Sequence, residues 1–295
     1  DGRDFEHNTY MRQSTTMKLQ LGVEKAVTDD ISFMVKFQDS RIWGEENNFT
    51  NYTDNVDLIA GWVRFDNIFN LPLSLQLGRW QMELGTGRII RHSPWSYHER
   101  SFDGVQVNYQ VDEYNFKAFY AVQRDGIGYY KHASPDRFNY PSGRYDGGNL
   151  LGIWTTGYFQ KQQIDLFGYW EDDNDKTESQ LKKLSRITAG ADWLGEVGEL
   201  DTKAEIYFQF GEFHEKTVAA YMAGLEIDYD LAKKLNLTAG TNIYSGTDPA
   251  ETNDRYDIFS PTHGAKHKFL GLMDYFRKID VGSAGLGVVD AFAGA

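Results

Sequence analysis

Segments of about ten residues alternate apolar and polar side chains along most of this chain, the length and rhythm of strands that cross a membrane as a barrel wall. Thr15, Met17, Leu19, Leu21 and Val23 alternate with Thr16, Lys18, Gln20, Gly22 and Glu24. Tyr114, Phe116, Ala118, Tyr120 and Val122 alternate with Asn115, Lys117, Phe119, Ala121 and Gln123. Leu200, Thr202, Ala204, Ile206, Phe208 and Phe210 oppose Asp201, Lys203, Glu205, Tyr207 and Gln209. Successive side chains of a strand point to opposite faces, so each segment has one greasy and one polar face. Polar faces this dense do not suit a dry core, where every buried polar group needs a partner. They suit a water-filled channel.

The pattern predicts about thirteen strands, at roughly 10–26, 31–43, 55–67, 73–84, 102–111, 114–124, 148–159, 163–171, 184–195, 200–212, 218–229, 236–245 and 268–276. Connections alternate in length. Those at 27–30, 68–72, 112–113, 160–162, 196–199 and 230–235 are short; those at 44–54, 85–101, 125–147, 172–183 and 246–267 are long. Bacterial barrels keep short turns on the periplasmic side and long loops outside. The expected fold class is therefore all-β: a transmembrane antiparallel up-and-down β-barrel, read as a single domain over 1–295. Two segments are less regular. Leu73, Leu75 and Leu77 share a parity that Trp80, Met82 and Leu84 break, which predicts a bulge near Gly78. The segment 56–64 fits either parity and leaves the face of Arg64 open. An odd strand number, the small-residue stretch 285–295 and the absence of a leader pattern make the chain read as a fragment cut at both ends.

Composition narrows the function. The net charge is −13, and no basic arm is present to meet phosphates, so nucleic acid is not an expected partner. There is no cysteine, and no apolar run approaches the roughly 18 residues of a membrane helix. No nucleophile elbow, His-Glu-x-x-His or phosphate loop occurs, so neither catalysis nor a cofactor is expected. His92 and His98 do not have zinc spacing, and no metal is expected. Trp62, Trp154, Trp170 and Trp193 read as girdle residues at the membrane interfaces.

The densest cationic segment is 77–109, LGRWQMELGTGRIIRHSPWSYHERSFDGVQVNY. It gathers Arg79, Arg88, Arg91 and Arg100 around one long loop. Guanidinium is always charged and its planar fork fits carboxylate, so arginines reaching a narrow lumen would favour anions. Lys18, Lys36, Lys117, Arg186 and Lys203 alternate with apolar neighbours and are secondary lumen candidates. The competing readings are that the arginines of this segment hold loops and wall together by pairing with Glu83, Glu99 and Asp103, and that the secondary candidates simply solvate a wet wall.

Gly78-Arg79, Gly87-Arg88, Trp95 and Arg100-Ser101-Phe102-Asp103, followed by a strand, resemble the signature of the alginate-export family of outer-membrane barrels. So do Tyr244-Ser245-Gly246-Thr247-Asp248, Phe259-Ser260-Pro261-Thr262-His263 and Leu270-Gly271-Leu272-Met273-Asp274-Tyr275-Phe276. The sequence departs from the family pattern at Trp80, where glutamine is usual, and at Thr247, which stretches the Ser-Gly-Asp loop. The resemblance implies an eighteen-stranded barrel, about five strands of it beyond Ala295, whose arginine-lined constriction passes an anionic polysaccharide. It makes Arg79, Arg88 and Arg100 the cationic lumen candidates and Asp103 a pairing or selectivity carboxylate. The expected partners are outer-membrane lipid, an anionic polysaccharide or acidic oligosaccharide, and periplasmic export machinery. A weakly selective general porin, and an adhesin or receptor acting through its long loops, are the other readings.

Overall fold

The computed structural model describes residues 15–43, 56–123, 148–174, 183–213, 216–232, 235–247, 254–261, 263–271, 279 and 283–295. Twelve strands follow in chain order. They are β1 (Thr16–Thr28), β2 (Ile31–Ile42), β3 (Val56–Phe65), β4 (Leu73–Trp80), β5 (Phe102–Val111) and β6 (Tyr114–Gln123), then β7 (Gly148–Phe159), β8 (Gln162–Asn174), β9 (Lys183–Val197), β10 (Leu200–Phe213), β11 (Lys216–Ala232) and β12 (Leu235–Tyr244). Each pairs antiparallel with the next, and β14 (Val288–Gly294) joins β12. The two-residue β13 (Arg255–Tyr256) runs parallel to β11. All lie in one up-and-down sheet, the architecture that the alternating pattern predicts.

The tight turns share one chemistry. The first residue of three two-residue hairpin turns, Asp112, Gln160 and Gly198, has φ of 45°, 54° and 68°. Positive φ matches the turn to the twist of the flanking strands. The register then fixes the faces. Lys36 pairs with Gly22 and Ala60, whereas Phe37 pairs with Leu21 and Leu58. On the outer face Leu21, Ile153, Leu166 and Phe210 are 73, 64, 57 and 52% exposed. On the inner face Asp165, Thr188 and Gln209 are fully buried. Apolar groups outside and polar groups inside invert the soluble pattern, and lipid is the surrounding that makes this arrangement stable. Trp170 and Trp193 have the outward parity, near opposite ends of their strands. No helix among the described residues is long and apolar enough to cross a membrane.

Four expectations change. The pairing of β4 with β3 and β5 runs through Gly78 without a shift, so no bulge restores the phase there. Trp80, Met82 and Leu84 point inward instead and are 4, 2 and 3% exposed, because the lumen holds an apolar core for them to join. Gly78 has φ of 123°, and a Cβ there would lie 2.3 Å from the Gly61 carbonyl oxygen. The glycine serves this close approach of neighbouring backbones. Trp62 and Trp154 are no girdle residues: both point inward, Trp62 beside Gln76 and Lys36, and Trp154 stacked on Phe167 with ring centroids 4.2 Å apart. The thirteenth strand, expected at 268–276, does not begin at 268. Lys266–Phe269 is a single helical turn, α1, which turns Phe269 inward, while residues 272–278 lie outside the described residues. The ladder partner of β12 comes from the small-residue stretch at 285–295, where the Phe292 ring covers Gly240.

Arg64 pairs with Ser32 and Gln76, which places it on the inner face. The segment 125–147, on which the adhesin reading leaned, lies outside the described residues.

Candidate functional site: a loop-filled lumen

The connection from β4 to β5, residues 81–101, crosses the interior. At one end it meets β1 and β2: the Lys18 ammonium donates to Glu99 Oε1 at 2.8 Å and to the Pro94 and Ser96 carbonyls, and Gln38 donates to the Tyr97 carbonyl at 3.1 Å. At the other end it meets β10 and β12: Thr86 Oγ1 donates to Glu205 Oε1 at 2.5 Å, and Arg88 Nη2 donates to Asn242 Oδ1 at 2.9 Å. A second inward segment, 257–271, lies against it. Ile90 and His263 form a parallel bridge, and the Ala265 amide donates to the Gly87 carbonyl at 3.0 Å. Ile89, Ile90, Ile258 and Phe259 pack with Trp80, Phe102 and Tyr207 between the two.

Two buried ion-pair networks anchor these segments to the β8–β12 wall. In the first, Arg88 Nε donates to Glu205 Oε2 at 2.9 Å, and the guanidinium also reaches the Tyr244 hydroxyl and lies 4.0 Å from the Phe269 ring centroid. In the second, Arg186 Nε donates to Glu171 Oε1 at 2.6 Å, and His263 Nε2 lies 2.7 Å from Glu171 Oε2. Both arginines are 3% exposed. A charge so far from water is stable only when paired and hydrogen-bonded. Arg88 therefore acts first as a brace between loop and wall, whereas Arg186 ties β9 to the Glu171 of β8 that in turn holds His263 of the inward segment.

The structure separates the sequence candidates. Arg79 and Asp103 face each other across β4 and β5 with Arg79 Nε 2.9 Å from Asp103 Oδ1, but they do not point into the lumen. They alternate with inward-facing Gly78, Trp80, Phe102 and Gly104, and share the outward face with Leu75, Leu77, Val105 and Val107. Both sit at the long-loop end of their strands, where a charge is tolerated near the membrane surface. Arg88 is inside but buried rather than lining open water. Arg91 faces Glu83 at 3.2 Å, and Arg100 donates to the Arg91 and His263 carbonyls. Lys18 is tied to the crossing loop, and Arg186 is the second brace. Lys203 lies 3.8 Å from Glu205 and 4.9 Å from the Phe269 centroid. Lys36 donates to Gln81 Oε1 at 3.1 Å, and Lys117 shares the inward parity of Asn115 and Phe119 on β6.

The bracing partners Glu205, Glu171, His263, Tyr244 and Phe269 escape sequence reasoning. Parity places Glu205 on the polar face, but Arg88 is 117 positions away and only the inward fold of the loop joins them. Lys268 is a further cation that the sequence reading did not select. Its ammonium lies 4.9 Å from the Phe269 centroid, and burial, with repulsion from Lys203 and Arg91, holds it below the ordinary lysine pKa. Burial likewise holds His92 below the usual imidazole value, against the pull of Glu99 and Glu83.

A greasy exterior, a polar interior and loops folded inward define an outer-membrane β-barrel of the porin type. The model of the alginate export family matches residues 3–281, and the chain belongs to that family. Its place is the bacterial outer membrane. Among solved structures, Pseudomonas aeruginosa OccK2 (OpdF), in complex with glucuronate, is similar at 14% identity, over 82% of this chain and 77% of that one, with a TM-score of 0.44. The trimer form of OmpT, an outer membrane protein of Vibrio cholerae, is similar at 10% identity, over 83% and 90%, with a TM-score of 0.42. A mutant of the Rh. blastica porin is similar at 10% identity, over 79% and 86%, with a TM-score of 0.28. No curated protein matches the chain.

Proposed function

We propose that this pore is selective for anionic solutes and lets an alginate-like acidic polysaccharide diffuse outward. The observation that carries the proposal is the crowding of cations where the crossing loop meets the wall. Arg88, Lys203 and Lys268 all lie within 4.9 Å of the Phe269 ring centroid, and Arg91 stands nearby in the same loop. Glu205, Glu83 and the neighbouring Asp192 offset part of this charge but leave an excess of cations in a low-dielectric constriction, where a field is concentrated. Lysines suit such a path, because a mobile point charge holds a carboxylate weakly and releases it. Arg91, Arg100, Lys36, Lys117 and Lys203 are the selectivity residues of this reading. Arg88 and Arg186 shape the constriction that they line. The short-turn rim is the face on which periplasmic export machinery would deliver the chain.

The test is reversal-potential measurement in planar bilayers under a salt gradient, followed by addition of oligo-uronate. The proposal requires anion preference and current block by the oligo-uronate, with neutral oligosaccharide blocking less. Equal passage of anions and cations, with no difference between the two sugars, supports the general-porin reading instead. The bracing of Arg88 and Arg186 is the observation that favours that second reading.

A further inference from the structure

Beneath the crossing loop, on the side of the short turns, the wall from β2 to β6 lines an open pocket of about 320 Å³. That is the lower end of the roughly 300–1,000 Å³ range of small-ligand clefts, enough for one or two sugar units. Its lining has an unusual composition. Lys36 and Lys117 bring two ammonium groups, Gln76, Gln81 and Gln106 bring three amides, and Trp62 brings an indole. Trp80 closes the wall, and its buried Nε1–H has no hydrogen-bond partner. Lys117 makes no hydrogen bond or close ion pair with any described residue, although the buried Asp165 carboxylate of β8 attracts it from a distance, and the one hydrogen bond of Lys36 is to Gln81. The carboxylate of the lining, Glu83, is engaged by Arg91 at 3.2 Å. This wall thus contrasts with the opposite one, where the arginines are locked to carboxylates.

We infer that this cavity is a resting subsite for a single uronate unit of an acidic saccharide. The sugar ring would lie with its C–H face on Trp62. Gln76 and Gln106 would hydrogen-bond its hydroxyls, since an amide both donates and accepts. Lys36 and Lys117 would share its carboxylate, and the Trp80 N–H would donate to a ring substituent. A unit parked here would wait on the periplasmic side of the loop before entering the constriction. The inference rests on the anionic-pore reading, and names the place where such a solute pauses.

The experiment compares the wild-type protein with the Lys36→Gln/Lys117→Gln double variant, with Trp62→Leu, and with Lys161→Gln. The last removes a charge at the short-turn rim, remote from the cavity. Oligo-uronate is added on the short-turn side of a planar bilayer. Block should weaken about tenfold in the double variant and severalfold in Trp62→Leu, as expected for losing charge-assisted or stacking contacts, and stay unchanged in Lys161→Gln. Wild-type-like block in both cavity variants overturns the subsite and leaves the anionic pore standing. If the wild type shows neither anion preference nor block, the pore reading itself falls. Tryptophan emission of the detergent-folded protein, titrated with the same oligo-uronate, then decides the subsite alone. A saturating change lost in Trp62→Leu supports it, and a flat titration overturns it.

Discussion

The two walls of the lumen treat positive charge differently. Against the β8–β12 wall, Arg88 of the crossing loop and Arg186 of β9 are buried and each is fixed to a glutamate. On the β2–β6 wall Lys36 and Lys117 stand around a cavity lined mostly by amides and indoles, with no described carboxylate in a close ion pair with either. The difference follows from where the inward loops press. Where Arg88 and Arg186 lie, water is excluded and a guanidinium without a carboxylate would be prohibitively costly. Beneath the loop the cavity remains, and a lysine can stay available to a passing solute. Residue type alone does not decide whether a lumen cation conducts or braces; burial does.

The largest effect that can break this contrast is on stability. Glu205→Ala leaves Arg88 buried and unpaired, and should destabilise the folded barrel by about 3–5 kcal/mol in urea unfolding from lipid vesicles. Lys117→Met on the other wall should change stability by less than about 1 kcal/mol, since the swap removes no ion pair. Equal losses in the two variants would erase the distinction between the walls.

Outer-face substitutions probe the wall itself. Phe37→Arg places a charge in mid-strand on the outward side and should cost about 2–4 kcal/mol by the same unfolding assay. A cost near zero there would mean that no lipid touches the face.

A smaller effect separates the rim from the lumen. Arg79→Ala removes a half-exposed outward pair, so its stability cost should stay below about 1 kcal/mol. Its reversal potential should match the wild type. A shift towards cations would return Arg79 to the conducting path.

The smallest effect is a titration. His92, between Glu83, Glu99, Arg91 and Lys36, is held below its ordinary pKa by burial and is neutral at pH 7. Lowering the pH through and below the ordinary imidazole value of about 6.5 adds positive charge to the loop. Anion preference should therefore rise slightly on acidification, and His92→Gln should abolish that increment.

The fold was legible because a barrel writes its faces into a period of two, which residues 17–23 of β1 and 204–210 of β10 follow. The change of parity at Gly78 reads as a bulge in the sequence because Trp80, Met82 and Leu84 look like a continuation of the lipid-facing leucines. They belong to an apolar core inside the lumen, which a two-solvent pattern does not announce. Arg79 was placed inside for a related reason. Its position in the family motif is a statement about sequence, whereas its face depends on strict alternation through Gly78. The braces were illegible because Arg88 to Glu205 and Glu171 to His263 are contacts between distant segments. β14 was hidden by its small residues, whose pairing with β12 needs the aromatic cover that Phe292 gives Gly240.

The account depends most on two neighbouring positions. The chain has no cysteine, so single cysteines introduced as Lys36→Cys and Phe37→Cys report cleanly. In protein folded into liposomes, a membrane-impermeant, negatively charged thiol reagent should modify the cysteine at 36 rapidly and the one at 37 scarcely at all. Comparable rates at both positions, or a faster reaction at 37, would contradict a wall with water on one face and lipid on the other.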